Sequence, residues 1–415
     1  MQQTELIPHL FRTEYGKIVS VLCRLFGIGH IEMAEDIVSD TFLLASESWP
    51  IKGLPPNPTA WLYRVAKNKA IDALRRNKNF SDKISVEVKQ AAHSASDMEI
   101  DLSHQNINDS QLQMMFATCH PDISSEAQIG LALNILCGFG VEEIADAFLT
   151  NKETIYKRLA RAKEKLRNDN IKIELPALAE INARMENVLR TLYLLFSEGY
   201  YSSSQNTTLR KDLCVEAMRL CLLLTQNAQT DTPPANALLS LMCFHASRFE
   251  ARTDQKGDII LYEEQDEKLW DQELIMKGIE YMRLAEPQKQ LTKYHIEAAI
   301  AYWHTQKTDT KEKWESILQL YNRLLLIEYS PIAALNRTYA LSKANHKMEA
   351  ITEAEKLKQL ADYHLYHTLL GNLYTDIDNA KALEHYQTAL SLAKTTAEKN
   401  VIAGNIKKLS TDPET

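Results

Sequence analysis

Apolar residues recur at helical spacing along most of this chain, and few helix-breaking residues interrupt them. The 415 residues include only 12 glycines and 12 prolines. Apolar positions at steps of three and four mark one face of an α-helix, and scarce turn residues argue against a protein built from many short strands. The sequence therefore predicts an all-α protein.

The sharpest helical pattern is VEEIADAFLTNKETIYKRLARAKEKLRND, residues 141–169. A short helix that offers Ile144, Ala145 and Phe148 to a core precedes a turn and a longer basic helix. In the longer helix, steps of four, three and four predict a buried stripe of Ile155, Leu159, Ala162 and Leu166. Two helices in this order form the outline of a helix-turn-helix unit, although a basic helical hairpin would share it.

The exposed face of the longer helix carries the first set of predicted DNA contacts. Residues 151–170 contain seven basic and three acidic side chains. Basic and hydroxyl groups suit phosphates and the base edges of the major groove. The predicted contacts on this face are Lys152, Thr154, Lys157, Arg158 and Arg161.

A second basic face is predicted on the helix AWLYRVAKNKAIDALRRNK, which follows a proline-rich loop. Residues 61–80 contain six basic side chains and one acidic side chain, Asp72, which we interpret as an ion-pair partner within the helix. Trp61 suits two roles equally, a place in the core or a pocket for an unstacked base. The predicted DNA contacts of this region are Asn57, Trp61, Arg64, Asn68, Arg75 and Arg76.

Two basic faces stand out because the whole chain is acidic, with a net charge of −8. Residues 81–110 contain six acidic and two basic side chains and no sustained apolar period. This composition predicts a flexible acidic linker over residues 81–108. The six cysteines are scattered without a C-x-x-C pair, which favours free thiols in a reducing cytoplasm and predicts no metal ion or cofactor.

The end of the chain has repeat character. Leu370 and Gly371, then Tyr374, precede Ala382, Tyr386 and Ala389 at a spacing that resembles the tetratricopeptide pattern, with its turn one residue short. Irregular antiparallel helices are the alternative. A helical array offers a groove for a peptide or a partner protein.

These motifs, in this order, resemble the sigma-70 family, and within it the extracytoplasmic-function (ECF) group of bacterial RNA polymerase sigma factors. AEDIVSDTFLLA, residues 34–45, is similar to the helix that docks on the polymerase clamp. The two basic regions are similar to those that read the minus-ten and minus-thirty-five promoter elements. VLRTLYLLFSEGYYSS and SPIAALNRTYAL resemble the C-terminal extension of a subgroup with a tetratricopeptide-like (TPR-like) tail. The resemblance implies polymerase contacts at Glu35, Asp36, Asp40 and Phe42.

The expected organisation is two small helical sigma domains, the second a helix-turn-helix, joined by a flexible linker and followed by a larger helical TPR-like domain. The expected ranges are residues 1–80 for sigma region 2, 81–108 for the linker, 109–170 for sigma region 4, 171–290 for a helical C-terminal domain and 291–415 for TPR-like repeats.

The leading hypothesis is a cytoplasmic sigma factor without catalytic activity. It would bind core RNA polymerase and promoter DNA, with the C-terminal domain regulating it in cis and binding a peptide or protein partner. One alternative is a stand-alone helix-turn-helix regulator with a peptide-sensing TPR-like domain, which would need a dimer and a palindromic site. Another is an enzymatic tail, for which the candidate pocket residues are Glu198, Glu250, Arg252, Glu263, Asp266 and Asp271.

Overall fold

The computed structural model describes residues 3–76, 100–148, 150–201, 207–252, 260, 262–286, 291–393 and 396–411. Throughout these residues the regular structure is helical and contains no β-strand, which confirms the all-α prediction. None of the helices in the described ranges is long and apolar enough to cross a membrane. The chain divides into two compact units, Met1–Asp231 and Thr232–Thr415.

The first unit contains nine of the described α-helices. They are α1 (Gln3–Phe26), α2 (Ile31–Lys52), α3 (Pro58–Arg76), α4 (His104–Thr118), α5 (Ser125–Leu131), α6 (Val141–Ala147), α7 (Lys152–Asn168), α8 (Leu178–Tyr201) and α9 (Thr207–Thr225). A π-helical segment, Ala132–Leu136, continues α5.

The helix-turn-helix prediction agrees with the structure of α6 and α7. The predicted stripe of α7, Ile155, Leu159, Ala162 and Leu166, is buried. Asn151 caps α7, because its side chain accepts a hydrogen bond from the backbone N–H of Thr154 at 2.8 Å. Ile144 and Ala145 of α6 are buried in the same core, and Phe148 is half-buried.

The structure places the two predicted small domains in contact rather than apart. Helix α1 packs against α4 and against the π-helical segment. Of the predicted linker, residues 81–99 lie outside the described residues. Its last part is structured, because Ile100 is buried and residues 104–108 form the first turn of α4. Ser103 caps that helix by accepting the backbone N–H of Asn106.

The structure also moves the expected boundary at residue 170. Helix α8 packs on α4 and α5, and α9 packs on α4 and α6. Arg219 of α9 donates to the carbonyl of Leu136 at 3.3 Å and to the side chain of Gln111 at 3.0 Å. Residues 171–231 therefore belong with the helix-turn-helix in the first unit.

The second unit contains the remaining described α-helices, most of them packed on their neighbours in the chain. They are α10 (Pro233–Ala246), α11 (Phe249–Arg252), α12 (Gln272–Leu284), α13 (Lys293–Trp303), α14 (Lys311–Ile327), α15 (Pro331–Lys343), α16 (Lys347–Glu355), α17 (His364–Tyr374), α18 (Asn379–Leu392) and α19 (Thr396–Thr411).

The repeat-like residues of the tail form a close helix contact in this second unit. Leu370, Gly371 and Tyr374 of α17 face Ala382, Tyr386 and Ala389 of α18, and all six are buried. A Cβ on Gly371 would lie 2.7 Å from the ring of Tyr386, so only glycine lets the two helices approach this closely.

Replacing Gly371 with alanine is expected to lower the free energy of unfolding by up to about 2 kcal/mol. Overpacking costs about 1–3 kcal/mol, and the better helix propensity of alanine offsets about 1 kcal/mol of it. Gly404 in α19 is the control, because nothing lies within 4 Å of the position of its Cβ. Gly404→Ala should leave stability equal or higher in urea unfolding. Equal stability of the two variants would show that the α17–α18 contact tolerates a methyl group.

Candidate nucleic-acid and polymerase interface

The predicted DNA-reading face of α7 lines a shallow groove of about 430 Å³. Asp122, Ile123, Ser124 and Ala127, around the start of α5, form its other wall. The basic wall consists of Thr154, Lys157, Arg158, Arg161 and Lys165. A concave strip with four cations matches the charge of a DNA backbone and leaves room for base edges.

Several cations of this face hold acidic partners that keep their side chains in place. Arg158 pairs with Glu126 of α5 at 3.0 Å, and Lys157 pairs with Glu153 at 2.6 Å. Lys152 pairs with Glu142 of α6. These pairs are mostly exposed, so each contributes about 0–1 kcal/mol and yields readily to a phosphate. Arg161 is exposed on the same face, and Thr154 is half-buried beside the cap of α7.

The second predicted face, on α3, is exposed to solvent. Arg64, Asn68, Arg75 and Arg76 are exposed, whereas Leu62, Ala66 and Ala70 are buried on the opposite side. The carboxylate of Asp72 lies 4.0 Å from Arg75, which agrees with its interpretation as an intrahelical partner.

The loop before α3 fixes the position of Trp61. The side chain of Asn57 accepts the backbone N–H of Ala60 at 2.9 Å and so caps the first turn. The ring of Trp61 is half-buried and meets Trp49 edge to face, at 5.4 Å between centroids. Asn57 is thus an exposed structural cap, and Trp61 has one side in the core and one side at the surface.

The four predicted polymerase contacts on α2 occupy different environments. Asp36 and Asp40 are exposed, and Asp40 lies 3.3 Å from Lys69 of α3. Glu35 is covered and pairs with Lys163 of α7 at 2.6 Å. Phe42 is buried, with its ring 5.0 Å from that of Phe11, so it is a core residue rather than a surface residue.

Two apolar residues next to Phe42 in α2, Leu43 and Leu44, are 57% and 39% exposed. The spacing of apolar residues in the sequence predicts this arrangement. Val38, Phe42 and Ala45 are spaced by four and three, so they share a buried face and leave the two leucines outside. A surface with Asp36, Asp40 and two exposed leucines suits a partner that is basic and partly apolar.

Three of the acidic residues proposed for an enzymatic pocket in the tail have structural partners. Asp266 caps the turn Glu267–Leu269, and Asp271 caps α12. Glu263 accepts from Lys343 at 3.2 Å and from Tyr339 at 3.4 Å. These contacts stabilise helix ends and a loop.

Comparison with known proteins identifies the first part of the chain. Residues 10–80 match sigma-70 region 2, and residues 184–286 match a family of unknown function (DUF6596). Over 393 residues the chain is 30% identical to Uncharacterized protein R00370 of Rhizobium meliloti (strain 1021), an alignment that covers 93% of this chain and 92% of the relative. No solved structure matches the chain. The chain therefore contains a sigma-70 region 2, which supports a role in transcription initiation.

Proposed function

We propose that this protein is a sigma factor of the extracytoplasmic-function group, which acts in the cytoplasm. It binds core RNA polymerase through α2 and selects promoters through two separate basic faces. The observation that carries the proposal is the pair of exposed faces, Arg64 with Arg75 on α3 and Lys157 with Arg161 on α7, in a chain whose residues 10–80 match region 2. Two small faces that read two DNA elements are what promoter selection requires.

The acidity of the chain supports a role in promoter selection rather than in overall affinity for DNA. Non-specific DNA binding is dominated by phosphate charge, and a protein with a net charge of −8 has little of it. Core polymerase supplies most of the electrostatic attraction to DNA, so the sigma factor contributes selection rather than affinity.

A stand-alone regulator is less well supported. Such a protein would gain affinity from a dimer on a palindromic site, and it would need neither an acidic helix with exposed leucines nor a second basic face. Both features are present at Asp36, Asp40, Leu43 and Leu44 of α2 and on α3.

The second unit, in this proposal, is a TPR-like domain that regulates the sigma factor in cis. The close α17–α18 pair and the consecutive packing of the helices from α13 to α19 support the TPR-like assignment. Leu326, in the last turn of α14, and Tyr329, which follows that helix, are 87% and 61% exposed, which supports an apolar peptide or protein partner.

Run-off transcription with purified core polymerase tests both parts of the proposal. The full chain is expected to direct promoter-specific transcripts, and a chain that ends at Asp231 is expected to give a transcript yield or promoter choice that differs several-fold. Asp231 is the proper end point, because ending at residue 170 would strip α8 and α9 from the first unit. Identical activity of the two chains would remove the regulation in cis while leaving the sigma function intact.

A further inference from the structure

Helix α8 follows the helix-turn-helix in the sequence, yet it packs behind the groove that α7 lines. It contacts α4 and α5. The wall of the groove opposite α7 consists of the turn between α4 and α5 together with the start of α5. This groove wall is therefore supported by a helix that lies outside the helix-turn-helix.

The side-chain amide of Gln128 holds the groove wall in place. Gln128 lies in α5 and is 1% exposed. Its Nε2 donates to the backbone carbonyl of His120 at 2.8 Å and to that of Ile123 at 2.9 Å. The backbone N–H of Ile123, which lines the groove, also donates to the carbonyl of His120 at 3.0 Å. Both protons of the amide are thus used, and they fix the backbone of the turn at two points.

Thr191 of α8 holds the other end of this amide. Thr191 is 1% exposed, and its hydroxyl donates to Oε1 of Gln128 at 3.0 Å. Among the described residues, Oε1 accepts a hydrogen bond from Thr191 alone. A buried acceptor without a donor is costly, so removal of the hydroxyl would favour a rotated amide or a shifted groove wall.

Helix α9 anchors the far end of the same segment. Arg219 donates to the carbonyl of Leu136, the last residue of the π-helical segment that continues α5. Its charge is balanced by Glu216, one turn earlier, at 2.8 Å. The segment that carries the groove wall is therefore held by α8 near its start and by α9 at its end.

The position of the groove wall decides what the basic face of α7 can reach. Glu126 on the wall pairs with Arg158 of α7 at 3.0 Å, and Asp122 adds a second carboxylate that is 64% exposed. These groups lie opposite the four cations that line the groove. A binding site must hold its contact groups to within about 0.5 Å, so the width of this groove governs which DNA geometry fits.

We propose that Thr191 and Gln128 are positioning residues for promoter reading, which set the width of the groove in which α7 reads the minus-thirty-five element. The inference rests on the proposed sigma function and extends the DNA-reading unit to α8. Both residues are buried, so they act through the groove wall rather than by touching DNA. Thr191 lies in the stretch that matches the family of unknown function, and the inference gives the first part of that stretch a role.

Thr191→Val in the full chain tests this role, because valine keeps the branched shape and removes the hydroxyl. Bound to core polymerase, the variant is expected to lose about fivefold or more in affinity for a promoter that the unmodified chain transcribes. Its affinity for core polymerase should stay within about twofold. Thr191→Ser, which keeps the hydroxyl, should stay within about twofold in both measurements. Fluorescence anisotropy with labelled promoter DNA measures the loss.

Thr338→Val is the matched control. Thr338 is also 1% exposed, but its hydroxyl bonds only to carbonyls of its own helix, those of Ala334 and Leu335. This variant loses the same atoms from a buried helix face. Both affinities should equal those of the unmodified chain.

A promoter with a scrambled minus-thirty-five element separates positioning from a general loss of structure. On this promoter Thr191→Val and the unmodified chain should bind equally, because the groove has no element left to select. An equal loss on both promoters, a loss of polymerase binding, or full affinity of Thr191→Val for the intact promoter would overturn the positioning role. An unmodified chain that binds no core polymerase would instead remove the proposed sigma function, and the positioning role with it.

Discussion

Replacing Arg161 with glutamate is expected to reduce promoter-directed transcription by about 10- to 100-fold, through promoter affinity alone. Arg161 is exposed and lines the groove between α7 and the start of α5. A base or phosphate contact of this kind is worth about 1–3 kcal/mol, and reversing the charge adds repulsion from the phosphates. Binding of core polymerase should not change, because Arg161 lies apart from α2.

Lys172→Glu is the matched control for this variant. It makes the same change of charge, and Lys172 is 73% exposed outside the groove. Promoter affinity of the control should stay within about twofold of the unmodified protein. The slope of log affinity against log salt should fall by about one for Arg161→Glu only. Equal losses in both variants would show that overall charge, and not the α7 face, governs promoter affinity.

Replacing Leu43 and Leu44 together with aspartate is expected to weaken binding to core polymerase by about tenfold or more. Both side chains are exposed on α2 beside Asp36 and Asp40, so the double variant should fold normally. If the leucines enter the interface, burying a carboxylate in their place carries a large desolvation cost. Fluorescence anisotropy of labelled protein with core polymerase measures the loss.

Leu284→Asp is the control for the leucine variant. Leu284 is 57% exposed in the second unit and receives the same chemical change. Its affinity for core polymerase should match that of the unmodified protein. Full affinity of the Leu43/Leu44 variant would place the polymerase contact elsewhere on the first unit.

The sequence could predict which residues share a face within each helix. The stripe Ile155, Leu159, Ala162 and Leu166 is buried as its spacing requires, because a helix fixes which residues share a face. The same rule places Arg64 and Arg75 outside on α3. The resemblance predicts Phe42 at the polymerase surface, whereas its spacing from Val38 and Ala45 places it on the buried face of α2.

Contacts between distant segments could not be predicted. The pairs Lys163–Glu35 and Arg12–Glu143 join residues more than a hundred positions apart, and nothing in a single sequence marks such partners. The close approach of Gly16 in α1 to the carbonyl of Leu136 is equally hidden, because a glycine within a helical pattern does not say which backbone it meets. For the same reason the placement of α8 and α9 with the first unit could not be predicted from their apolar periods.

The most direct test of the sigma function mixes the purified full chain with core RNA polymerase and follows comigration on a sizing column. The account predicts a stable complex that then produces promoter-specific run-off transcripts. If the full chain formed no complex with core polymerase, the proposed function would be contradicted, and a stand-alone DNA-binding regulator would become the better explanation.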